Sequence, residues 1–144
     1  MVKQKIITGV EIEQFDDVSQ PGDKRGPVFE WKNFTGEKTV QLTGYTRKKG
    51  SIFGNHFHKG TDPSKKPELF FMVSGEAELW VWNKFTKEES KVRLKQGMLL
   101  TIWPHVLHKS TALTDIVYVE PRITLFDKKH PDTFPPEEYE GYQK

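Results

Sequence analysis

Residues 50–75 read GSIFGNHFHKGTDPSKKPELFFMVSG, and this stretch decides the fold prediction. It contains two apolar runs separated by a polar segment with glycine and proline, which is typical of two β-strands joined by a loop. Side chains alternate between the two faces of a strand, so His56 and His58 point to one face while Phe57 points to the other. The stretch therefore predicts two imidazoles side by side on one strand.

A single acidic residue begins the second apolar run. Glu68 shares its strand face with Phe70 and Met72, which predicts an apolar inner wall with one carboxylate near its entrance. His108 adds a third imidazole from a later strand. Neutral imidazoles with one carboxylate suit Zn, Fe, Mn, Ni or Cu as a bound divalent metal. The histidine pair alone is also compatible with exposed side chains that bind nothing.

Short runs rich in β-branched and aromatic residues surround this stretch, and 11 glycines and nine prolines punctuate them. This pattern predicts many short strands joined by turns. The predicted strands cover residues 6–12, 39–46, 68–73, 77–82, 91–94, 98–103 and 115–125. Turns are expected at residues 74–75 and 96–97. Such a succession is typical of an all-β sandwich or barrel.

The chain has 144 residues, which fits a single domain over residues 1–144. We expect its core at about residues 39–125 and a polar loop at residues 20–27. Residues 130–144 contain three prolines and four acidic residues, so this tail cannot form a central strand. It is expected to wrap the surface or to fray.

Charge and composition narrow the possible partners. The formal net charge is +2, from 22 basic and 20 acidic residues, so no global excess favours nucleic acid or an anionic membrane. The chain has no cysteine, which excludes disulfides, thiolate metal ligands and a cysteine nucleophile. We find no signal peptide and no apolar run of membrane-spanning length. The expectation is a cytoplasmic protein with a small-molecule substrate.

The glycines and histidines together resemble the two motifs of the cupin superfamily. The first motif is occupied by Gly50, His56, His58, Glu68 and Gly75, with five residues between Gly50 and His56 and six between Glu68 and Gly75. In the second, ten residues separate Gly97 from His108. The resemblance implies a cupin-type β-barrel (jelly roll), frequently a homodimer, in which His56, His58, Glu68 and His108 bind a divalent transition metal.

The chain departs from those motifs at several places. Nine residues separate His58 from Glu68 where the family usually has three or four. Pro104 sits one place late, His105 stands where a glycine is usual, and Ala112 replaces the final asparagine. These departures affect the assignment to a subfamily more than the fold.

Residues 54–59 and 126–133 most resemble cupins that act on sugar nucleotides. Examples are the cupin domain of capsular polysaccharide reductase/epimerase proteins and the deoxysugar epimerases and ketoisomerases. The resemblance implies an isomerase or epimerase of polysaccharide or deoxysugar biosynthesis that removes a proton beside a ketone. Without metal, His56 is the candidate acid or base.

Other residues near the predicted site have two interpretations. Lys59, Lys65 and Lys66 lie on the long loop and could reach a diphosphate, but solvated surface lysines are common. His105 is a candidate substrate contact or an exposed side chain. Two other functions remain open: a metal-dependent dioxygenase, because the ligand set suits iron, and a non-enzymatic module that binds a small ligand.

Overall fold

The computed structural model describes residues 2–32 and 38–144, which form ten β-strands and two single-turn 3-10 helices, Pro63–Lys65 and Pro136–Glu138. The strands are β1 Val2–Ile7, β2 Val10–Gln14, β3 Gln41–Arg47, β4 Ile52–His56, β5 Glu68–Ser74, β6 Glu76–Asn83, β7 Glu88–Lys95, β8 Met98–Ile102, β9 Leu107–Ala112 and β10 Ile116–Arg122.

The strands form two antiparallel sheets. The larger has the order β1-β2-β8-β5-β10-β3, and the smaller has the order β4-β9-β6-β7. The core lies between them and takes its apolar side chains from both sheets. The all-β class is therefore confirmed.

Strand alternation explains which side chains form the core. Along β6, Ala77, Leu79 and Val81 are buried, whereas the side chains between them are more exposed. Apolar side chains that point inward leave water while their neighbours stay solvated, and this burial is the main favourable contribution to folding. The period of two in the sequence thus selects the inner face of each sheet.

Two segments outside the sheets cover the outer faces of the barrel. Phe29 and Trp31 pack on a cluster of the larger sheet that includes Phe71. At the smaller sheet, Phe134 and the buried Tyr139 from the C-terminal segment pack on a cluster that includes Trp82 and Leu107. Both segments therefore belong to the packed structure.

The structure corrects the expected N-terminal strand. Residues 6–12 are not one strand, because a turn at Thr8 and Gly9 divides them into the hairpin of β1 and β2. Gly9 has a φ of +91°, a conformation that residues with a side chain rarely adopt. The strand β2 pairs with β8 in the larger sheet, so the barrel extends N-terminally beyond the expected core of residues 39–125.

Phe70→Ala tests the contribution of the core. Phe70 is buried on β5 and stacks on Tyr118 at a centroid distance of 4.0 Å. We expect the free energy of unfolding to fall by roughly 3–5 kcal/mol, because truncation leaves a cavity. Urea unfolding measures this change, with the more exposed Phe126→Ala as the control. An equal, small loss in both variants would contradict the packing described here.

Candidate functional site

Four side chains from three regions of the barrel meet at one point. His56 ends β4, His58 follows two residues later, Glu68 begins β5, and His108 lies on β9 opposite His56 in the sheet register. One ligand atom from each lies within 4.8 Å of all the others. The structure therefore brings together the four residues that the sequence predicts as metal ligands.

The side-chain alternation predicted for residues 56–58 is also present. The rings of His56 and His58 lie on the same side, with their centroids 4.7 Å apart. Phe57 points the other way and packs against the C-terminal segment. The short distance between the two imidazoles thus follows from the local period of an extended backbone.

Backbone carbonyls orient two of the three imidazoles. Nδ1 of His58 donates to the carbonyl oxygen of Asp132 at 2.5 Å, and Nδ1 of His108 donates to that of Val106 at 3.1 Å. In a neutral imidazole only one nitrogen carries a proton. With Nδ1 bonded to a carbonyl oxygen, Nε2 of both rings is directed to the centre of the cluster, the arrangement that metal-binding histidines use.

Two buried atoms of the cluster lack a hydrogen-bond partner. Nε2 of His58 lies 2.6 Å from Oε2 of Glu68, and neither atom has a partner in hydrogen-bond geometry among the described residues. The proton on Nδ1 is given to Asp132, so it cannot satisfy the carboxylate oxygen. A buried polar atom without a partner is costly. A cation between the donors would resolve this conflict, so the donor set fits a divalent metal.

The histidines are suited to a ligand role by their protonation state. Burial, together with the neighbouring His108 and His58, lowers the pKa of His56 to about 2. Burial and the neighbouring His58 lower the pKa of His108 to about 4. Both rings are therefore neutral at physiological pH, as metal coordination through nitrogen requires.

The carboxylate of the cluster is kept ionised by a buried lysine. Burial alone raises the pKa of Glu68, but the ammonium of Lys65 together with the neighbouring His58 and His108 outweighs it and holds the pKa well below the ordinary value. Nζ of Lys65 lies 3.5 Å from Oε1 of Glu68. Oε2 faces the histidines, so the two oxygens of Glu68 have different partners.

Lys65 belongs to the long loop between His58 and Glu68, and its side chain points into the interior of the barrel. Lys65 is in the 3-10 helix of the loop, and its side chain is only 12% exposed. It forms a buried ion pair with Glu120 of β10. Lys65 is therefore not the solvated surface lysine that its sequence context favours, whereas Lys66 is exposed.

The cluster opens into a cavity of about 130 Å³ between the two sheets. Tyr118 lines it, stacked on Phe70 and on Tyr45, whose ring centroid is 4.6 Å away. Arg47 lies over the Tyr45 ring, 5.2 Å from its centroid. The remaining lining residues are Phe53, Gly54, His56, Lys65, Glu68, Leu79, Leu100, Ile102, His108, Ser110 and Glu120. The cavity thus combines an aromatic wall with fixed charges.

Two predicted substrate contacts lie outside this cavity. The ammonium of Lys59 packs over the Phe134 ring at 3.9 Å. Nδ1 of His105 and the hydroxyl of Tyr142 are 2.7 Å apart. Both side chains therefore contact the C-terminal segment, and their role as substrate contacts stays a prediction.

Sequence reasoning missed four polar or aromatic residues of the cavity, which are Tyr45, Arg47, Tyr118 and Glu120. Ile116, Tyr118, Glu120 and Arg122 alternate on β10 and are all buried. The signal that could have identified Glu120 is an acidic residue at a core position of an alternating strand, because a carboxylate is rarely buried without a partner. The partner, Lys65, is 55 residues earlier in the chain.

Comparison with known proteins identifies the fold. No family model and no curated relative matches the chain. Among solved structures, dTDP-4-dehydrorhamnose 3,5-epimerase from Sulfolobus tokodaii is similar with a TM-score of 0.63 and 16% identity, over 90% of this chain and 78% of that chain. The 3,4-ketoisomerase QdtA from Thermoanaerobacterium thermosaccharolyticum, in complex with TDP-4-keto-6-deoxyglucose, gives a TM-score of 0.67 and 18% identity, over 92% and 91%.

CapF in complex with the inhibitor 3-isopropenyl-tropolone is also similar, with a TM-score of 0.55 and 24% identity. The similarity covers 70% of this chain and 29% of CapF. The chain therefore has the cupin fold, as its motifs predict. The three structures share this fold with the chain at 16%, 18% and 24% identity.

No helix in residues 2–32 and 38–144 has both the length and the apolar character needed to cross a membrane.

Lys65→Met tests the buried ion pairs. Loss of the ammonium leaves Glu68 and Glu120 buried without their cation, and breaking a buried pair typically costs roughly 3–5 kcal/mol. In the wild-type protein, burial and then the charge of Glu68 raise the pKa of Glu120, and Lys65 opposes this rise. Without Lys65, the pKa of Glu120 is therefore raised further. A carboxyl with a raised folded-state pKa binds more protons folded than unfolded, so stability falls as pH rises between the two pKa values.

We therefore expect Lys65→Met to be destabilised more at mildly alkaline than at mildly acidic pH, relative to wild type. Urea unfolding at the two pH values measures the difference. Lys66→Met, on the exposed neighbour, is the matched control. A loss in Lys65→Met that does not depend on pH would contradict the assigned pairs.

Proposed function

We propose that the chain is an epimerase or ketoisomerase that acts on a keto-sugar nucleotide. The observation that carries the proposal is one cavity in which a cluster of three histidines and a glutamate faces the buried pair of Lys65 and Glu120. Similarity to barrels whose names state epimerase or ketoisomerase activity supports it. In this reaction a base removes a proton from the carbon beside a ketone, and the proton returns on the opposite face or at the neighbouring carbon.

The cluster would hold a divalent transition metal through His56, His58, Glu68 and His108. The unpartnered Nε2 of His58 and Oε2 of Glu68 support this assignment. When bound, such a metal polarises a ketone and stabilises the negative charge that develops on its oxygen. The donor atoms are nitrogen and oxygen only, a set that suits Zn, Fe, Mn, Ni or Cu.

Glu120 is the base that we propose for proton removal. Burial raises its pKa, and a base acts best when its pKa approaches the working pH. His56, the candidate from the sequence, is a weaker choice, because a ring with a pKa of about 2 has little affinity for a proton from carbon. In this proposal His56 acts as a ligand.

The remaining cavity residues would bind and orient the substrate. Lys65 is protonated, since Glu68 and Glu120 raise its pKa to about 12 against the effect of burial. Its ammonium would donate to a sugar oxygen and stabilise the enolate. The stacked rings of Tyr45 and Tyr118 offer a face for the sugar ring. Arg47, beside them, would bind the diphosphate of the nucleotide.

The predicted homodimer, the cytoplasmic location and the substrate contacts of Lys59 and His105 belong to the same proposal. The homodimer depends on the resemblance to the cupins, whereas the location and the two substrate contacts are predictions from the sequence itself. None of the following experiments relies on them.

The metal centre is tested by His58→Ala. We expect purified wild-type protein to contain near-stoichiometric transition metal by elemental analysis and the variant to lose most of it, because one of four ligands is gone. His130→Ala removes a histidine whose side chain is 83% exposed and should retain the metal. A His58→Ala variant with full metal content, or a metal-free wild type after incubation with each candidate ion, would contradict the assignment.

The reaction is tested with TDP-4-keto-6-deoxyglucose in deuterium oxide. We expect enzyme-dependent incorporation of deuterium at a carbon beside the ketone, detected by NMR and mass spectrometry. Glu120→Gln should keep its metal but lose roughly 10²- to 10⁴-fold in exchange rate, as removal of a general base does. The exposed Glu78→Gln is the matched control.

Equal exchange rates in Glu120→Gln and wild type would exclude Glu120 as the base. No exchange by the metal-loaded wild type with this or other keto-sugar nucleotides would contradict the proposed function. Oxygen uptake with Fe²⁺ and an organic substrate would then favour the dioxygenase alternative, which the ligand set alone supports. Saturable binding without turnover would favour a ligand-binding module.

A further inference from the structure

Asp132, in the C-terminal segment, contacts a predicted metal ligand and the loop that follows it. The residue is 3% exposed and lies 74 positions after His58. Its backbone carbonyl accepts the Nδ1 proton of His58 at 2.5 Å. This bond keeps the other ring nitrogen directed at Glu68.

The side chain of Asp132 holds the start of the loop that carries Lys65. Its carboxylate accepts three backbone N–H groups, from Lys59 at 2.7 Å, Gly60 at 2.8 Å and Asp62 at 3.1 Å. Both oxygens are used, one by Lys59 and the other by Gly60 and Asp62. Three N–H groups aimed at one buried carboxylate match an ionised acceptor, and a group with its own N–H donors would not replace it.

A second connection fixes the same segment on the other side of His58. Phe57 and Phe134 exchange backbone hydrogen bonds of 3.1 and 3.0 Å as an isolated antiparallel bridge. Their rings pack in the apolar cluster that buries Tyr139. The bridge holds the C-terminal backbone beside the ligand, so the position of the Asp132 carbonyl is set by this docking.

The loop has a second anchor, Asp62, between the part that Asp132 holds and the buried Lys65. The Asp62 side chain caps the 3-10 helix by accepting the backbone N–H of Ser64, and its Oδ2 lies 2.5 Å from Nη2 of Arg122. The 3-10 helix begins directly after Asp62 and ends at Lys65. His58 directly precedes the part of the loop that Asp132 holds, and Lys65 follows it. A displacement of the loop at this point would therefore move both side chains.

We infer that Asp132 is a positioning residue of the proposed metal centre, through which the docked C-terminal segment sets the tautomer of His58 and the path of the loop. This inference rests on the proposed function. Asp132 does not face the cavity, and its effect is on the groups that do. A partner that orients a metal-binding histidine typically changes metal affinity by roughly 10- to 100-fold when it is altered.

Asp132→Asn tests this role. The variant keeps the shape of the side chain but turns an NH₂ group toward at least one of the three N–H donors, which forces the loop and the segment apart. We expect the dissociation constant for Co²⁺, measured by chelator competition, to rise about 10- to 100-fold, and the visible spectrum of bound Co²⁺ to change. Asp127→Asn makes the same substitution at an exposed carboxylate of the same segment and should leave both unchanged.

A purely structural role gives a different result. The thermal midpoint of the metal-free variant would then fall while the Co²⁺ dissociation constant of the folded protein stayed at the wild-type value. That outcome would overturn the inference.

Metal-free protein provides a second readout that does not depend on the proposed function. The ¹⁵N chemical shifts of His58 should report a proton on Nδ1 in wild type and in Asp127→Asn, and a loss of that preference in Asp132→Asn. Wild type that binds no Co²⁺ would contradict the metal centre, while the tautomer would still test Asp132. An unaltered tautomer in Asp132→Asn would overturn the inference.

Discussion

The ionised carboxylate of Glu68 lies buried between two sheets of a small barrel, and the rest of the site is arranged around it. A charge removed from water is tolerated only with partners that replace its hydration. Lys65 approaches one oxygen, and the three histidines face the other. Glu120 in turn balances the lysine. The long loop before β5 therefore contributes to the electrostatics of the site, since it places the ammonium of Lys65 beside the buried carboxylates.

Two segments outside the strands cover the outer faces of the barrel. The segment with Phe29 and Trp31 covers the outer face of the larger sheet, so β5 is buried on both faces. The C-terminal segment covers the smaller sheet with Tyr139 and holds His58 through the carbonyl of Asp132. In the C-terminal segment, apolar packing on the outside and ligand orientation on the inside thus come from one stretch of chain.

Local features of the chain could be predicted from the sequence, whereas a turn within an apolar run and a burial caused by a distant partner could not. His56 and His58 share a face because alternation along an extended backbone is local, and the sequence shows it directly. The hairpin of β1 and β2 was missed because apolar residues continue on both sides of its turn, where only Gly9 marks the reversal. Lys65 resembles a surface lysine in its polar loop, yet a partner 55 residues away buries it.

The sequence by itself determined the strand periodicity, the shared face of His56 and His58 and the exclusion of thiolate chemistry, because each depends on residue type and short spacing. The set of four candidate ligands came from the resemblance of its motifs to those of the cupins. Only the tertiary structure decided that Glu120 faces Lys65 in the cavity and that Asp132 orients His58. These contacts join residues far apart in the chain, and they depend on strand register, on the route of a nine-residue loop and on where the C-terminal segment docks. No local pattern specifies those three features, since each follows from packing of the whole barrel.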